Sequence, residues 1–207
     1  MAIKHGKIAL MYLWDKTATT MTAEACTVSG NQAQITAVTK RRLNPNEPPV
    51  FTDSGGKTVI YIDYINGIAY FTGNATIVTC TGEYVLQANL ANAGYLIDWS
   101  LNLGLATADG SSKGDAWDNP IAGRTNWNGS ANRHYQSNEF TLLVTYETSP
   151  VEKRLFLLEF YTDAVAQLDR YVGWALVSGV NPTSPLTDTM KEAITITGFQ
   201  NIGYFTT

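Results

Sequence analysis

Hydrophobic and polar positions alternate most clearly between Tyr95 and Leu103, where Tyr95, Ile97, Trp99, Leu101 and Leu103 are interleaved with Leu96, Asp98, Ser100 and Asn102. In a pleated strand the first set shares one face, which predicts a core-facing strand. After Gly104 the alternation dissolves into Thr107-Ala108-Asp109-Gly110-Ser111-Ser112-Lys113-Gly114-Asp115, and no strand pattern resumes before about Glu139. The sequence therefore predicts a long irregular loop over 104–138. A structureless segment of that length carries function or orders against a partner.

The rest of the chain reads as β structure with a few interruptions. Ile8 to Trp14 predicts a first strand, and Met21-Thr22-Ala23-Glu24-Ala25 a short helical or irregular element. Gln32 to Val38 predicts a second strand, which runs into Lys40-Arg41-Arg42-Leu43-Asn44-Pro45-Asn46-Glu47-Pro48-Pro49-Val50-Phe51. The prolines remove backbone donors and fix φ, so 40–57 is expected as an extended loop or an arm reaching a neighbouring subunit. Gly55-Gly56 marks a turn. Thr58 to Ile65 and Gly67 to Thr72 flank Asn66-Gly67, a pair that favours a type I′ hairpin. Ala75 to Cys80 is expected to continue this meander. Glu83 to Ala93 predicts the one short helix, with good helix formers at Ala88, Ala91 and Ala93 and Gly94 placed as its cap.

Glu139 to Glu147, Arg154 to Tyr161, Tyr171 to Gly179 and Glu192 to Tyr204 predict the last strands, with a helical turn near Asp163 to Asp169. The continuous apolar run Leu155 to Leu158 predicts a strand covered on both faces. In the final strand Ile194 and Ile196 are expected to face inward, and Thr195 and Thr197 outward. With roughly nine to eleven strands, no internal repeat and no linker, the chain predicts one all-β domain over 1–207. The expected architecture is a β-sandwich or partly closed β-barrel flanked by one α-helix, with long assembly loops.

Composition narrows the function. The net charge is -4, and the 14 Lys and Arg are scattered except for Lys40-Arg41-Arg42, which disfavours a nucleic-acid-binding face. Charged residues make up 15% of the chain, so its polar surfaces are weakly charged and suited to contact with other subunits. Cys26 and Cys80 lack metal-ligand spacing and read as buried free thiols. No apolar run reaches the length of a membrane helix. Lys4 and Lys7 precede the apolar Ile8 to Trp14, but that run stops at Asp15-Lys16 and suits a strand better than a signal peptide.

No nucleophile elbow or phosphate-cradling glycine motif occurs, and His5 and His134 read as solvated. No cofactor or metal site is expected. The enzymatic alternative is a β-sandwich glycosidase drawing two carboxylates from Glu139, Glu147 and Glu159. A sugar-binding module would use Trp117 and Trp127 as exposed platforms on the loop.

One resemblance spans nearly the whole chain. Asp98-Trp99-Ser100-Leu101, the Thr/Asp/Gly loop, Trp117-Asp118-Asn119-Pro120-Ile121-Ala122-Gly123 and Trp127-Asn128-Gly129-Ser130 resemble the major tail, or tail-tube, proteins of long-tailed bacteriophages, siphovirus-like in type. Tyr64-Ile65-Asn66-Gly67-Ile68-Ala69-Tyr70-Phe71, Tyr171-Val172-Gly173-Trp174-Ala175 and Ile194-Thr195-Ile196-Thr197-Gly198-Phe199 follow in matching order.

The resemblance implies a structural, non-enzymatic virion protein. Six copies would close into a ring, and rings would stack into the conduit through which DNA is ejected. Its partners would be itself, the tape measure, the tail terminator and the distal tail protein. Assembly would take place in the host bacterial cytoplasm, away from any membrane. DNA would pass without specific binding, which a mildly acidic lumen favours. Candidate inter-subunit contacts are Arg41, Arg42, Pro45, Pro48, Pro49 and Phe51 in the proline-rich segment, with Trp117, Pro120, Trp127 and Tyr135 in the long loop. A capsid decoration protein is the nearest structural alternative.

Overall fold

A computed structural model of the chain describes residues 9–14, 17–96, 98–109, 120–134, 155–162, 169–183 and 191–206. In chain order the strands are β1 (Ala9–Trp14), β2 (Thr19–Ser29), β3 (Gln32–Ile35), β4 (Val50–Asp53), β5 (Val59–Asp63), β6 (Ile68–Phe71), β7 (Val78–Tyr84), β8 (Leu90–Leu96), β9 (Asp98–Asp109), β10 (Pro120–His134), β11 (Phe156–Tyr161), β12 (Arg170–Thr183) and β13 (Lys191–Phe205). Their pairings are all antiparallel, in a seven-stranded sheet ordered β8-β1-β11-β12-β13-β10-β9 and a six-stranded sheet ordered β4-β7-β2-β3-β6-β5. The all-β expectation of a sandwich or partial barrel is met.

The smaller sheet is one continuous excursion between β1 and β8, which are themselves paired neighbours, Trp14 opposite Leu90. The larger sheet curls into a half-barrel. Its two edges, β8 and β9, are separated in sequence by one residue, so the run predicted as a single strand from Tyr95 to Leu103 crosses from one edge to the other. Trp99 and Leu101 pack on the enclosed core as expected, whereas Leu103 is 56% exposed. Within the curl, Met11, Leu96, Phe156, Leu158, Phe160, Ile194 and Ile196 form one core.

β11 explains why that sheet is covered on both sides. Phe156, Leu158 and Phe160 face the curl, while Leu157 of the same strand joins Trp14, Ile65, Val85, Leu90, Leu155, Val172 and Trp174 in the layer between the sheets. The continuous apolar run is thus a strand buried on both faces. Ile194 and Ile196 point inward and Thr195 and Thr197 are exposed, also as expected. The smaller sheet wraps its own core of Met21, Ile35, Leu43, Phe51, Phe71, Val78 and Cys80. Cys80 is buried and Cys26 half-buried, both as free thiols, and burial raises their pKa values to about 12 and about 11.

Several local expectations are corrected. No α-helix forms over Glu83 to Ala93: the chain runs from β7 through a 3-10 turn (Gln87–Asn89) into β8. Tyr84, Val85 and Leu90 are buried there and Gly94 pairs with Met11, so sheet formation overrides a modest helical propensity. Met21 to Ala25 belongs to β2, bulged at Ala23, whose φ is 49°. β7 leaves the predicted meander to pair with β2 and β4. The β5–β6 hairpin forms, but its turn spans residues 64–67, because Asp63 is the partner of Ile68. Asp63 holds that turn open by accepting from the backbone N–H groups of Ile65 and Asn66 at 2.9 and 3.0 Å.

The predicted loop over 104–138 is largely replaced by a hairpin. β9 extends to Asp109, and β10 begins at Pro120 directly opposite it. The strand expected at Glu139 to Glu147 and the helical turn after Asp163 lie outside the described residues. No helix among the described residues is long and apolar enough to cross a membrane.

Candidate functional site

Two surfaces stand out once the strands are placed: a cleft where the sheets meet, and the open edges of the sheets. The cleft arises because β11 changes character along one face. Leu155 and Leu157 continue the apolar layer, whereas Glu159 and Tyr161, next on that face, are polar. Arg170 on β12 lies opposite Tyr161, and Val172 opposite Glu159. From the smaller sheet come the 3-10 turn Val38–Lys40, Arg41, Arg42 and the 64–67 turn. Together these line a cleft of about 470 Å³.

Charge in this cleft is partly matched. Tyr161 Oη donates to Glu159 Oε2 at 2.6 Å, and Arg170 Nε stands 4.0 Å from the same oxygen. Burial, and then the hydrogen bond to Glu159, raise the Tyr161 phenol and keep it protonated. Arg170 spreads its guanidinium over the Tyr161 and Phe205 rings, 5.9 and 5.4 Å from their centroids. Arg41 is anchored on backbone carbonyls, donating to Ile35 at 2.8 Å and Thr36 at 3.4 Å. Arg42 donates to Gln87 Oε1 at 2.8 Å, and desolvation by burial lowers its pKa.

Arg41 and Arg42 thus belong to this cleft rather than to a projecting arm. The proline-rich segment folds back on its own sheet. Leu43 donates to Tyr64, Asn44 to Glu83, and Val85 donates to Arg42, all backbone to backbone at 2.8–2.9 Å. Pro45 and Pro49 are buried and Phe51 is 7% exposed in the small core, which leaves Pro48 outward among the proline-rich candidates.

The second correction concerns Trp127. It is no exposed platform but 4% exposed, its indole lying across one glycine of β13 and one of β12 beyond it. A Cβ on Gly173 would stand 2.6 Å from Trp127 Cζ2, and one on Gly198 would collide with Cδ2 and Cε2 of the ring. The indole Nε1 donates to the Gln200 carbonyl at 3.2 Å, where β13 bulges and Gln200 takes φ 61°. That bulge also joins the sheets, since Asn201 Oδ1 accepts from Tyr64 N at 3.0 Å and its Nδ2 donates to Asp63 at 2.7 Å. Trp117 and Tyr135 lie outside the described residues. Pro120 opens β10 opposite Asp109.

The open edges carry four of the seven exposed large apolar side chains among the described residues. β9 pairs with β10 on one side, and no further strand lies beside it among the described residues. Leu103 of β9 and Tyr61 of the opposite edge strand β5 border one groove of about 370 Å³, and are 56% and 48% exposed. Ile60 on β5 and Val50 on the other small-sheet edge, β4, are 64% and 61% exposed.

Hydrolytic chemistry finds a single carboxylate, Glu159, among the described residues of the cleft, and Glu139 and Glu147 lie outside them. Among the described residues no group of three or more His, Cys, Asp or Glu is placed to hold a metal ion. No protein-family model matches the chain, and no curated protein matches it.

Proposed function

We propose that the chain is a structural, non-enzymatic subunit that assembles into hexameric rings stacked as the tail tube of a long-tailed bacteriophage, a conduit for DNA during ejection. The observation that carries the reading is the open β9 edge: twelve residues long, with exposed Leu103, on a sheet whose other edge is the shorter, seven-residue β8. A long bare edge is an aggregation hazard in a monomer and an assembly bond when another copy covers it. Ring closure needs two different complementary surfaces, and β9 and the β4/β5 edges of the smaller sheet supply separate ones. The sugar-binding alternative loses half of its aromatic platform with the burial of Trp127.

Negative-stain electron microscopy of the concentrated protein is expected to show rings or tubes, and light scattering to show growth with concentration. The control variant is Leu103→Lys, which places a charge on the exposed β9 edge without touching the core. It is expected to keep the wild-type circular dichroism spectrum and lose polymerisation. A wild-type protein that stays monomeric at every concentration, with no rings in the images, would sink the proposal. Spikes decorating a shell would favour the capsid alternative.

A further inference from the structure

The cleft between the sheets holds more positive charge than its lining balances. Arg41, Arg42 and Arg170 border it, against Glu159 as the one carboxylate among its described lining residues. Arg170 Nε is buried without a hydrogen-bond partner, and its 4.0 Å separation from Glu159 exceeds hydrogen-bond length. Glu159 already accepts from Tyr161, and the hydrogen-bond partner of Arg42 is the neutral amide of Gln87. Among the described lining residues, three guanidinium groups therefore share one engaged carboxylate.

The setting sharpens the imbalance. Of 14 basic and 18 acidic residues in the chain, 11 and 17 remain once these four are set aside, so the cleft is a cationic island in an acidic protein. Its volume, about 470 Å³, falls in the range of small-molecule sites. Apolar groups form most of the remaining wall, with Val38 at 70% exposure and Leu86 and Phe205 half-buried. A guanidinium fork matches the paired oxygens of a carboxylate or phosphate.

We propose that this cleft binds a small organic anion, a carboxylate or phosphate group carried on an apolar body, with Arg42 and Arg170 holding the anionic oxygens. The apolar body lies along Val38, Leu86 and Phe205. Burial disfavours the Arg42 cation, and an anion beside it offsets that cost.

The test uses the full chain, kept dilute and monomeric, titrated with phenyl phosphate and with benzoate and followed by calorimetry and thermal unfolding. At least one probe is expected to bind saturably at millimolar concentration and to raise the melting temperature, and the stronger of the two identifies the head group. Arg42→Gln and Arg170→Gln are each expected to weaken binding by about tenfold or more, the worth of a charge-assisted contact. Circular dichroism checks that each variant is folded, and either one suffices. Inorganic phosphate is expected to bind more weakly than phenyl phosphate, and neutral benzyl alcohol not at all. Absence of saturable binding by both anions, unchanged binding in the folded variants, or equally tight binding of benzyl alcohol would overturn the proposal. Inorganic phosphate binding as tightly as phenyl phosphate would remove the apolar body from it.

Discussion

Trp127 shows how much a single residue's meaning depends on what lies beneath it. In sequence it sits among Asn126, Asn128 and Gly129, and nothing local distinguishes a solvent-facing platform from a core anchor. The distinguishing residues, Gly173 and Gly198, are distant in the chain and become legible only when β12 and β13 are laid beside β10. Gly198→Ala is expected to drive a methyl into the indole and to lower stability by about 1–3 kcal/mol in chemical denaturation, the cost of overpacking a filled site.

Asp53 carries a different residue-scale effect. Its carboxylate accepts from Thr76 N at 2.9 Å, Thr76 Oγ1 at 3.0 Å and Lys57 N at 3.1 Å, and these bonds, that to the Thr76 backbone foremost, hold its pKa at about 2 against an ordinary 3.8. A folded-state pKa below the unfolded one means that the contribution is whole above about pH 4 and is lost as the pH falls through about 2. Denaturation curves over that window are expected to show a smaller acid-induced loss of stability for Asp53→Asn than for the wild type.

At the scale of elements, β10 is the instructive case. From Asn126 to Arg133 its burial alternates with period two, but the inward set is Trp127, Gly129, Ala131 and Arg133, two of them small and one charged. Small inward residues hide a strand from any search for large apolar ones, and the sequence reading made it a loop. Gly129 has to be small, since a Cβ there would stand 2.5 Å from the Ser100 carbonyl of β9. By contrast β11, β13 and the β5–β6 hairpin were legible because their apolar patterns are strong.

Arg133 is the element-scale latch. It faces Glu192 across the β10–β13 pair, with both side chains at 1% exposure or less, and Nη1 reaches the Ala93 carbonyl of β8 at 3.4 Å. The guanidinium so links three strands, β8 among them at the far edge of the curled sheet. Removing the guanidinium breaks a buried ion pair and leaves the Glu192 carboxylate in the core, so Arg133→Ala is expected to cost about 3–5 kcal/mol in equilibrium unfolding.

At the scale of the whole molecule, composition and strand density were enough to reach an all-β sandwich or partial barrel, but not the route of the chain. No local pattern announces that β2 to β7 form a sheet inserted between two paired strands, or that the run from Leu90 to Asp109 serves both edges of another. Those facts depend on which strands meet, and the charged cleft depends on them in turn. Arg41 and Arg42 were visible as a basic cluster and Glu159 as a candidate carboxylate, while Tyr161 was visible only as the end of a strand and Arg170, just before the strand expected from Tyr171, not at all.

The insertion also sets an order of events as the chain is made. Every strand of the smaller sheet lies within residues 19–84, so it can complete its pairing while the rest is still being synthesised. β1, the first strand to emerge, pairs with β8 and with β11, where Ala9 lies opposite Phe160. One side of it therefore stays bare until β11 has been made, and so long a sequence separation is expected to make closure of the larger sheet slow, which stopped-flow refolding would detect as a phase later than formation of the smaller sheet.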